Sequence, residues 1–492
     1  MPLRSGSHEI EVRYLGRVVS VYPAEVCQPY EAYCTITARE REQASPENGW
    51  EVRYLTKVEN AYWYDEADGR RYFCAFSGFG PYLIERLNDR FPGQVVVHDR
   101  RPSGLEKPDM DFLRLVKWRP GQKEVLASIL AYRGGQIICD VGFGKTYIIN
   151  KLARAFPQAK IVVTVPYKQV ALEIWEELRE DLPGVGILGG GKRREGRVTV
   201  AVSHSLKHAD RDANLVLADE AHRLLTPTFV RQLMRFTRAK MFAFTATPEG
   251  RSDNRDRYLE AIFGPVRANV SYQEAVDYGN VVPLEVVAYD VPDGPAVAGE
   301  KDDVKRKRLG LWRNDRRNQI IAQAVRAQFE ELGENTQLLI TVEATEHAYR
   351  LAHLLQGFTV VHDTIDGDLR RRLEREGILK PGADLCTGKK VVEYKKKFSK
   401  GEIRHAIATS VWSVGVNFWD LQVLVRADGS PSMINNGQVP GRLSRHGRTV
   451  EKRSARVVDF CDSWDRVMAG RWKKRLAVYK DKGWQIQYRE LR

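Results

Sequence analysis

Three short stretches of this sequence hold residues whose types and spacing suit chemistry on a polyphosphate. The first, "CDVGFGKTYIIN" (Cys139 to Asn150), follows the pattern G-x-x-x-x-G-K-[ST] except that Cys139 stands where the first glycine is expected. Gly142 and Gly144 fall where the backbone must come close to phosphate oxygens, so that its amides can point at them. Lys145 would neutralise charge on the β and γ phosphates, and Thr146 would offer a hydroxyl to Mg²⁺. The apolar strand "QIIC" precedes the loop and the helical "TYIINKLARAF" follows it, so the positive end of a helix dipole adds to the site. Cys139 only opens the loop at the strand end, where a small side chain is enough.

The second stretch, "LVLADEAHRL", sets Asp219 and Glu220 at the end of an apolar run. One carboxylate can hold Mg²⁺ through its water shell, and the next can orient or deprotonate an attacking water. Adjacent acids at a strand end are common on surfaces; downstream of a phosphate loop in an α/β series they are not. His222 either bridges to the next motif or caps the following turn. The third stretch, "NNGQVPGRLSRHGR", carries Gln438, Arg442 and Arg445. The two arginines stand three apart, on one face of a helical turn, and planar guanidinium groups stabilise the charge that builds as a γ-phosphate leaves. A solvated basic face is the weaker reading, given the Gln and glycines at fixed offsets.

Elements must bring these stretches together. From Leu113 onward, short apolar strands alternate with amphipathic helices: "GGQIICDVGFGKT", "AKIVVTVPY", "GRVTVAVSHSL", "ANLVLADEAH" and "KMFAFTATP", then "TQLLITVEAT", "FTVVHDTI", "IRHAIATSVW", "LQVLVRADG" and "SARVVDFCDS". Buried parallel strands read this way, and ligands bind at their C-terminal ends. Arg442 and Arg445 belong to the second series, so they act only if two domains close over the nucleotide. The first hundred residues differ, with short alternating Val, Tyr, Trp and Phe runs that predict a small β-rich module. Within it "EVRYLGRV" (Glu11 to Val18) recurs as "EVRYLTKV" (Glu51 to Val58), either as equivalent strands of a duplicated unit or by coincidence. The aromatics of "ENAYWYDEADGRRYF" read as its core more readily than as a nucleic-acid platform. We expect a β-rich nucleic-acid-binding module over 1–105, α/β domains over 106–285 and 286–465, and a basic tail over 466–492, either a helix and strand that track nucleic acid or a solvated basic helix.

Composition narrows the partners. A 492-residue chain exceeds the size of one core, and a net charge of +14 predicts attraction to a polyanion, nucleic acid first and an anionic membrane surface second. No apolar run is long enough to span a membrane and no signal core opens the chain, which predicts a cytoplasmic protein. The six cysteines are scattered without zinc-finger spacing and read as reduced thiols.

In order and spacing these stretches resemble a superfamily 2 DExH-box helicase or translocase from Leu113 to about residue 465. "KWRPGQ" is similar to the adenine-reading motif, with Arg119 and Gln122 as its contacts; "CDVGFGKT" resembles motif I and "DEAH" motif II. "FTATP" resembles motif III, with Thr245 and Thr247 in coupling positions beside His222. "ATSVWSVGVNFWDL", with Gly415, resembles motif V, and "QVPGRLSRHGR" motif VI. Asn417 stands where many relatives carry Asp, which removes a negative charge from that contact. Within the superfamily the XPB-like group and the bacteriophage UvsW recombination helicase are most alike, through "LRLVKWRPGQ", "GILGGGKRR" and "YQEAVDYGNVVPLEV".

The resemblance implies two tandem RecA-like parallel-sheet domains behind the β-rich module, with ATP and Mg²⁺ as cofactors. It implies nucleic-acid contacts at Pro166, Lys168, Gly190, Ser203, Thr341 and Thr409. The expected activity is nucleic-acid-dependent ATP hydrolysis driving a monomeric DNA helicase or translocase on single-stranded and branched DNA in recombination, repair or replication restart, alongside accessory repair proteins. An RNA helicase, and a nucleic-acid-binding protein with a dead motor, are the alternatives.

Overall fold

The computed structural model describes residues 9–41, 54–101, 105–139, 142–246, 254–297, 299–412, 418–430, 440–447 and 449–490. The chain divides into two compact units, one of residues 1–140 and 144–270, the other of 141–143 and 271–492.

The N-terminal strands are β1 (Ile10–Leu15), β2 (Val18–Tyr22), β3 (Thr35–Arg41), β4 (Tyr54–Asn60), β5 (Tyr62–Ala67), β6 (Arg70–Phe76) and β7 (Val95–Asp99). Among the described residues, five of them form a sheet ordered β5-β6-β2-β1-β7, and β3 pairs with β4 alone. Period-2 alternation decides the buried face: Ile10, Val12 and Tyr14 point inward along β1. Tyr62 stacks on Phe73 with ring centroids 5.3 Å apart, while Trp63 between Tyr62 and Tyr64 is exposed. The "EVRYL" repeat falls on non-equivalent strands, its first copy in β1 and the described part of its second in β4 of the other sheet.

The remainder of this unit holds β8 (Gly134–Cys139), β9 (Ile161–Val165), β10 (Gly186–Gly189), β11 (Lys192–Arg194), β12 (Val198–Val202), β13 (Leu215–Asp219), β14 (Lys240–Thr245) and β15 (Val266–Val270). Among the described residues these make one sheet, β11-β10-β12-β9-β13-β14-β8-β15, parallel except for the β10–β11 hairpin. Every residue of β9, β12 and β13 is buried, as helices on both faces require, which is why these strands read as unbroken apolar runs. The helix Lys145–Ala155 turns Ile148, Ile149, Leu152 and Ala155 to the sheet, the spacing of one helical stripe.

The N-terminal sheet shares a core with this α/β layer, with Val12, Phe73 and Phe79 in one cluster with Leu233, Phe236 and Ile262. Polar contacts fix its seat. Arg17, buried, donates from Nε to the Phe236 carbonyl at 2.8 Å and from Nη2 to the Ala239 carbonyl. Glu59 takes Arg255 Nη2 at 2.9 Å and the Tyr258 hydroxyl at 2.7 Å, and Arg257 Nη2 donates to the Tyr33 carbonyl at 2.9 Å.

The second unit holds β16 (Leu284–Val291), β17 (Leu338–Thr341), β18 (Thr359–Val361), β19 (His405–Ala408), β20 (Val423–Arg426), β21 (Ala455–Asp462) and β22 (Gln485–Arg489). Among the described residues they form an all-parallel sheet, β18-β19-β17-β20-β21-β16-β22. β16 lies outside the strand series expected from sequence, because it sits at the expected domain junction. The tail supplies a helix, Arg466–Asp481, and β22, which pairs in parallel with β16 and closes that edge of the sheet.

Removing the Arg17 side chain leaves the Phe236 and Ala239 carbonyls buried without their donor, at about 1–3 kcal/mol each. Arg17→Ala should therefore lower the urea midpoint and expose the N-terminal sheet to limited proteolysis; an unchanged cleavage pattern would contradict this docking.

Candidate active site

In the parallel ladder Asp219 lies opposite Phe244, and Thr245 opposite Ile138, so β13, β14 and β8 end at one level. The chain leaves β8 through Cys139, which is buried and registered on Val270 of β15. Gly142 and Gly144 then take φ of +93° and +91°. Gly144 caps the helix Lys145–Ala155, and a Cβ there would also lie 2.7 Å from Gln122 Nε2, so glycine is required on two counts. Gln122 is buried, and its Oε1 accepts from the Arg119 N–H at 3.0 Å. The Tyr147 hydroxyl donates to the Lys117 carbonyl at 3.0 Å, and its ring meets Trp118 edge-on at 6.1 Å. The "KWRPGQ" segment is thereby set against the first turn of the helix.

Lys145, on that turn, reaches the end of β13. Its Nζ lies 3.0 Å from Asp219 Oδ1 and 3.6 Å from Glu220 Oε1. Burial opposes the ammonium charge, but Asp219 and Glu220 more than offset it and raise the Lys145 pKa. Asp219 is pushed up by its own burial and by Glu220, against the pull of Lys145. Glu220 has φ +50°, a left-handed conformation uncommon outside glycine, and such strain collects where a side chain must be aimed. His222, fully buried, has Nδ1 2.8 Å from Thr245 Oγ1 and 3.7 Å from Glu220 Oε2. The end of β13 is thus linked to the end of β14.

The other expected contacts divide into groups. Pro166, Lys168 and Ser203 follow the C-terminal ends of the neighbouring strands β9 and β12, with Gly190 in the β10–β11 turn. The Lys168 stem lies so close to Gly190 that a Cβ there would be 2.6 Å from Lys168 Cε. A groove of about 280 Å³ beside them is lined by Gly190, Lys192, Arg193, His204, Ser205 and His208, a cationic and hydroxyl surface suited to phosphate. In the second unit Thr341 and Thr409 end β17 and β19. Both are buried, with the Thr341 hydroxyl donating to Asp428 Oδ2 at 3.0 Å and the Thr409 N–H to the Val361 carbonyl at 3.1 Å.

Arg442 opens a short 3-10 turn, Arg442–Ser444, and Arg445 follows it in extended backbone at φ −71°, ψ 144°. The turn thus ends at Ser444, one residue before Arg445. The Arg445 guanidinium lies over the Trp419 ring, 4.9 Å from its centroid. Gly415, Gln438 and Thr247 lie outside the described residues, as does Asn417. Sequence reasoning passed over Trp419, Asp420 and Lys452, which surround the Arg445 turn; the "FWD" signal lay at the end of a motif read for Thr409, Gly415 and Asn417.

Because Lys145 contacts both the buried Asp219 and the half-buried Glu220, Lys145→Ala should reduce ATP turnover to background in a steady-state phosphate-release assay. Turnover surviving that change would overturn the assignment.

Residues 115–250 match the family described as Type III restriction enzyme, res subunit. No curated protein sequence matches the chain at a significant level. Among solved structures, a fragment of a putative HsdR subunit of a type I restriction enzyme from Vibrio vulnificus YJ016 is similar at 16% identity, covering 93% of this chain and 91% of its own, with a TM-score of 0.53. S. cerevisiae Dbp5 bound to RNA and ADP BeF3 is similar at 15% identity, over 78% and 92% of the two chains, with a TM-score of 0.50. T4 UvsW aligns at 14% identity over 98% and 100%, with a TM-score of 0.40. Identities this low establish the fold alone: two tandem RecA-like parallel-sheet domains behind a small β-rich region, with residues 115–250 of the first similar to the restriction-enzyme res subunit.

Proposed function

We propose that this chain is a nucleic-acid-dependent ATPase that works as a DNA helicase or translocase on branched DNA. The observation that carries the reading is the buried contact of Lys145 with Asp219 and Glu220 at the mouth of a glycine-shaped loop. In this reading residues 1–105 form a nucleic-acid-binding module, 106–285 and 286–465 the motor domains, and 466–492 a basic tail.

The residues present suit Mg²⁺, which takes hard oxygen ligands: the Thr146 hydroxyl and the Asp219 carboxylate would hold it. When bound, the ion supplies charge neutralisation on the phosphates. The protein groups do the remainder. Lys145 is already desolvated, so it exchanges its carboxylate partners for phosphate oxygens at little reorganisation cost. Glu220, aimed by its left-handed backbone, orients the attacking water. Gln122 and Arg119 read the base, and Arg442 and Arg445 supply guanidinium charge during phosphoryl transfer. Hydrogen bonding of His222 to Thr245 gives a route by which the state of the Asp219–Glu220 end reaches β14 and, with Thr247, the strand-gripping surfaces. Gripping is a matter of phosphates, which recur in every sequence and permit stepping.

A net charge of +14 suits either nucleic acid, and the similarity of residues 115–250 to a restriction-enzyme subunit favours DNA. The fold shared with Dbp5, whose structure contains RNA, keeps an RNA helicase as the second reading.

ATP hydrolysis should be stimulated most by forked and four-way DNA, less by single-stranded DNA and least by RNA duplexes. EDTA should abolish all of it. Equal stimulation by every substrate would remove the branched-DNA claim, and stimulation by RNA alone would replace it with the second reading.

A further inference from the structure

The turn that carries Arg445 is held by groups that the sequence reading gave no role. The Leu443 carbonyl accepts from the Lys452 ammonium, and the Ser444 carbonyl accepts from the Val282 N–H at 2.6 Å. His446 donates from Nε2 to the Gly279 carbonyl at 2.8 Å, and the Ser444 hydroxyl donates to the Gly441 carbonyl at 2.6 Å. Beyond the turn, the Asp420 carboxylate takes the Thr449 N–H at 2.9 Å and the Thr449 hydroxyl at 2.7 Å. Gly447 is pressed into this junction: a Cβ there would lie 2.2 Å from the Val450 carbonyl oxygen and 3.0 Å from Asp420 Oδ1. The result is one polar knot between Trp419–Asp420 and Leu443–Lys452, with the Arg445 guanidinium on the Trp419 ring.

Lys452 is costly where it stands. It is only 6% exposed, and burial, with Arg445 adding to the effect, pulls its ammonium down to about 7 against Asp420. An apolar side chain would be cheaper to bury. What the ammonium gains is one specific main-chain carbonyl, two residues before Arg445.

We propose that Lys452 and Asp420 are positioning residues for Arg445: together they fix the Leu443–Gly447 turn and the chain after it, so that the guanidinium is presented in one orientation from the Trp419 ring. The proposal rests on the reading of Arg445 as a charge-stabilising residue in ATP hydrolysis. Residues of this kind should affect the transition state, where the arginine is needed, far more than ATP binding.

The test is steady-state ATPase kinetics of the full chain at saturating fork DNA, with circular dichroism to check folding. Lys452→Met and Asp420→Ala should each lower kcat by about ten- to a hundredfold, as misplacement of a catalytic group does, with KM for ATP within about twofold. Asp420→Asn keeps an oxygen for the Thr449 N–H and should recover most of the loss. A wild-type kcat in Lys452→Met, a rise in KM with unchanged kcat, or an Asp420→Asn variant as impaired as Asp420→Ala would overturn the proposal. If Lys452→Met does not fold, the Asp420 pair decides alone. Arg445→Ala separates the two levels: full turnover in that variant defeats the reading of Arg445, whereas loss there with wild-type Lys452→Met defeats only the positioning claim.

Discussion

A buried carboxylate, Asp219, and two half-buried charges, Lys145 and Glu220, are brought together where β8 and β13 end. An isolated ammonium or carboxylate removed from water costs many kcal/mol, and a pair is tolerable only with close, well-aimed partners. Lys145 meets Asp219 at 3.0 Å because the first sheet places β14 alone between β8 and β13 and ends all three strands at one level. The left-handed glycines ahead of the helix, the left-handed Glu220 after the strand and the His222–Thr245 bond all serve that meeting.

Much of this was legible in the residues. Gly142 and Gly144 lie in the turn between a strand and a helix that the spacing implied, with Lys145 and Thr146 opening the helix. Unbroken apolar runs announced β9, β12 and β13, since a strand covered on both faces has no polar side to show. Cys139 looked like a defect; in the fold it is a buried strand-end residue, outside the turn that needs left-handed backbone.

What was not legible depends on contacts far apart in sequence. β16 and β22 pair across nearly two hundred residues, and nothing local in "PLEVVAYDV" separates a core strand from a linker. The seat of the N-terminal strands hangs on Arg17 beside the five-stranded sheet and on Glu59 and Tyr33 outside it, none of which stands out in a chain with so many charges and aromatics. Lys452 is hidden for the same reason: a lysine in a basic, polar segment reads as solvated, and only the fold shows its ammonium on the Leu443 carbonyl. The short turn that carries Arg442 ends at Ser444, where hydrogen bonds from Val282 and His446 engage the extended chain at Arg445.

The central claim is that Glu220 acts on water while Lys145 and Asp219 hold the nucleotide, so binding and hydrolysis should come apart in a single variant. The direct measurement is Mg·ATP affinity beside single-turnover hydrolysis in Glu220→Gln. The account predicts affinity within a few-fold of wild type and a hydrolysis rate lower by about 10²–10⁴, the range for loss of a general base. Hydrolysis at the wild-type rate, with binding intact, would contradict it.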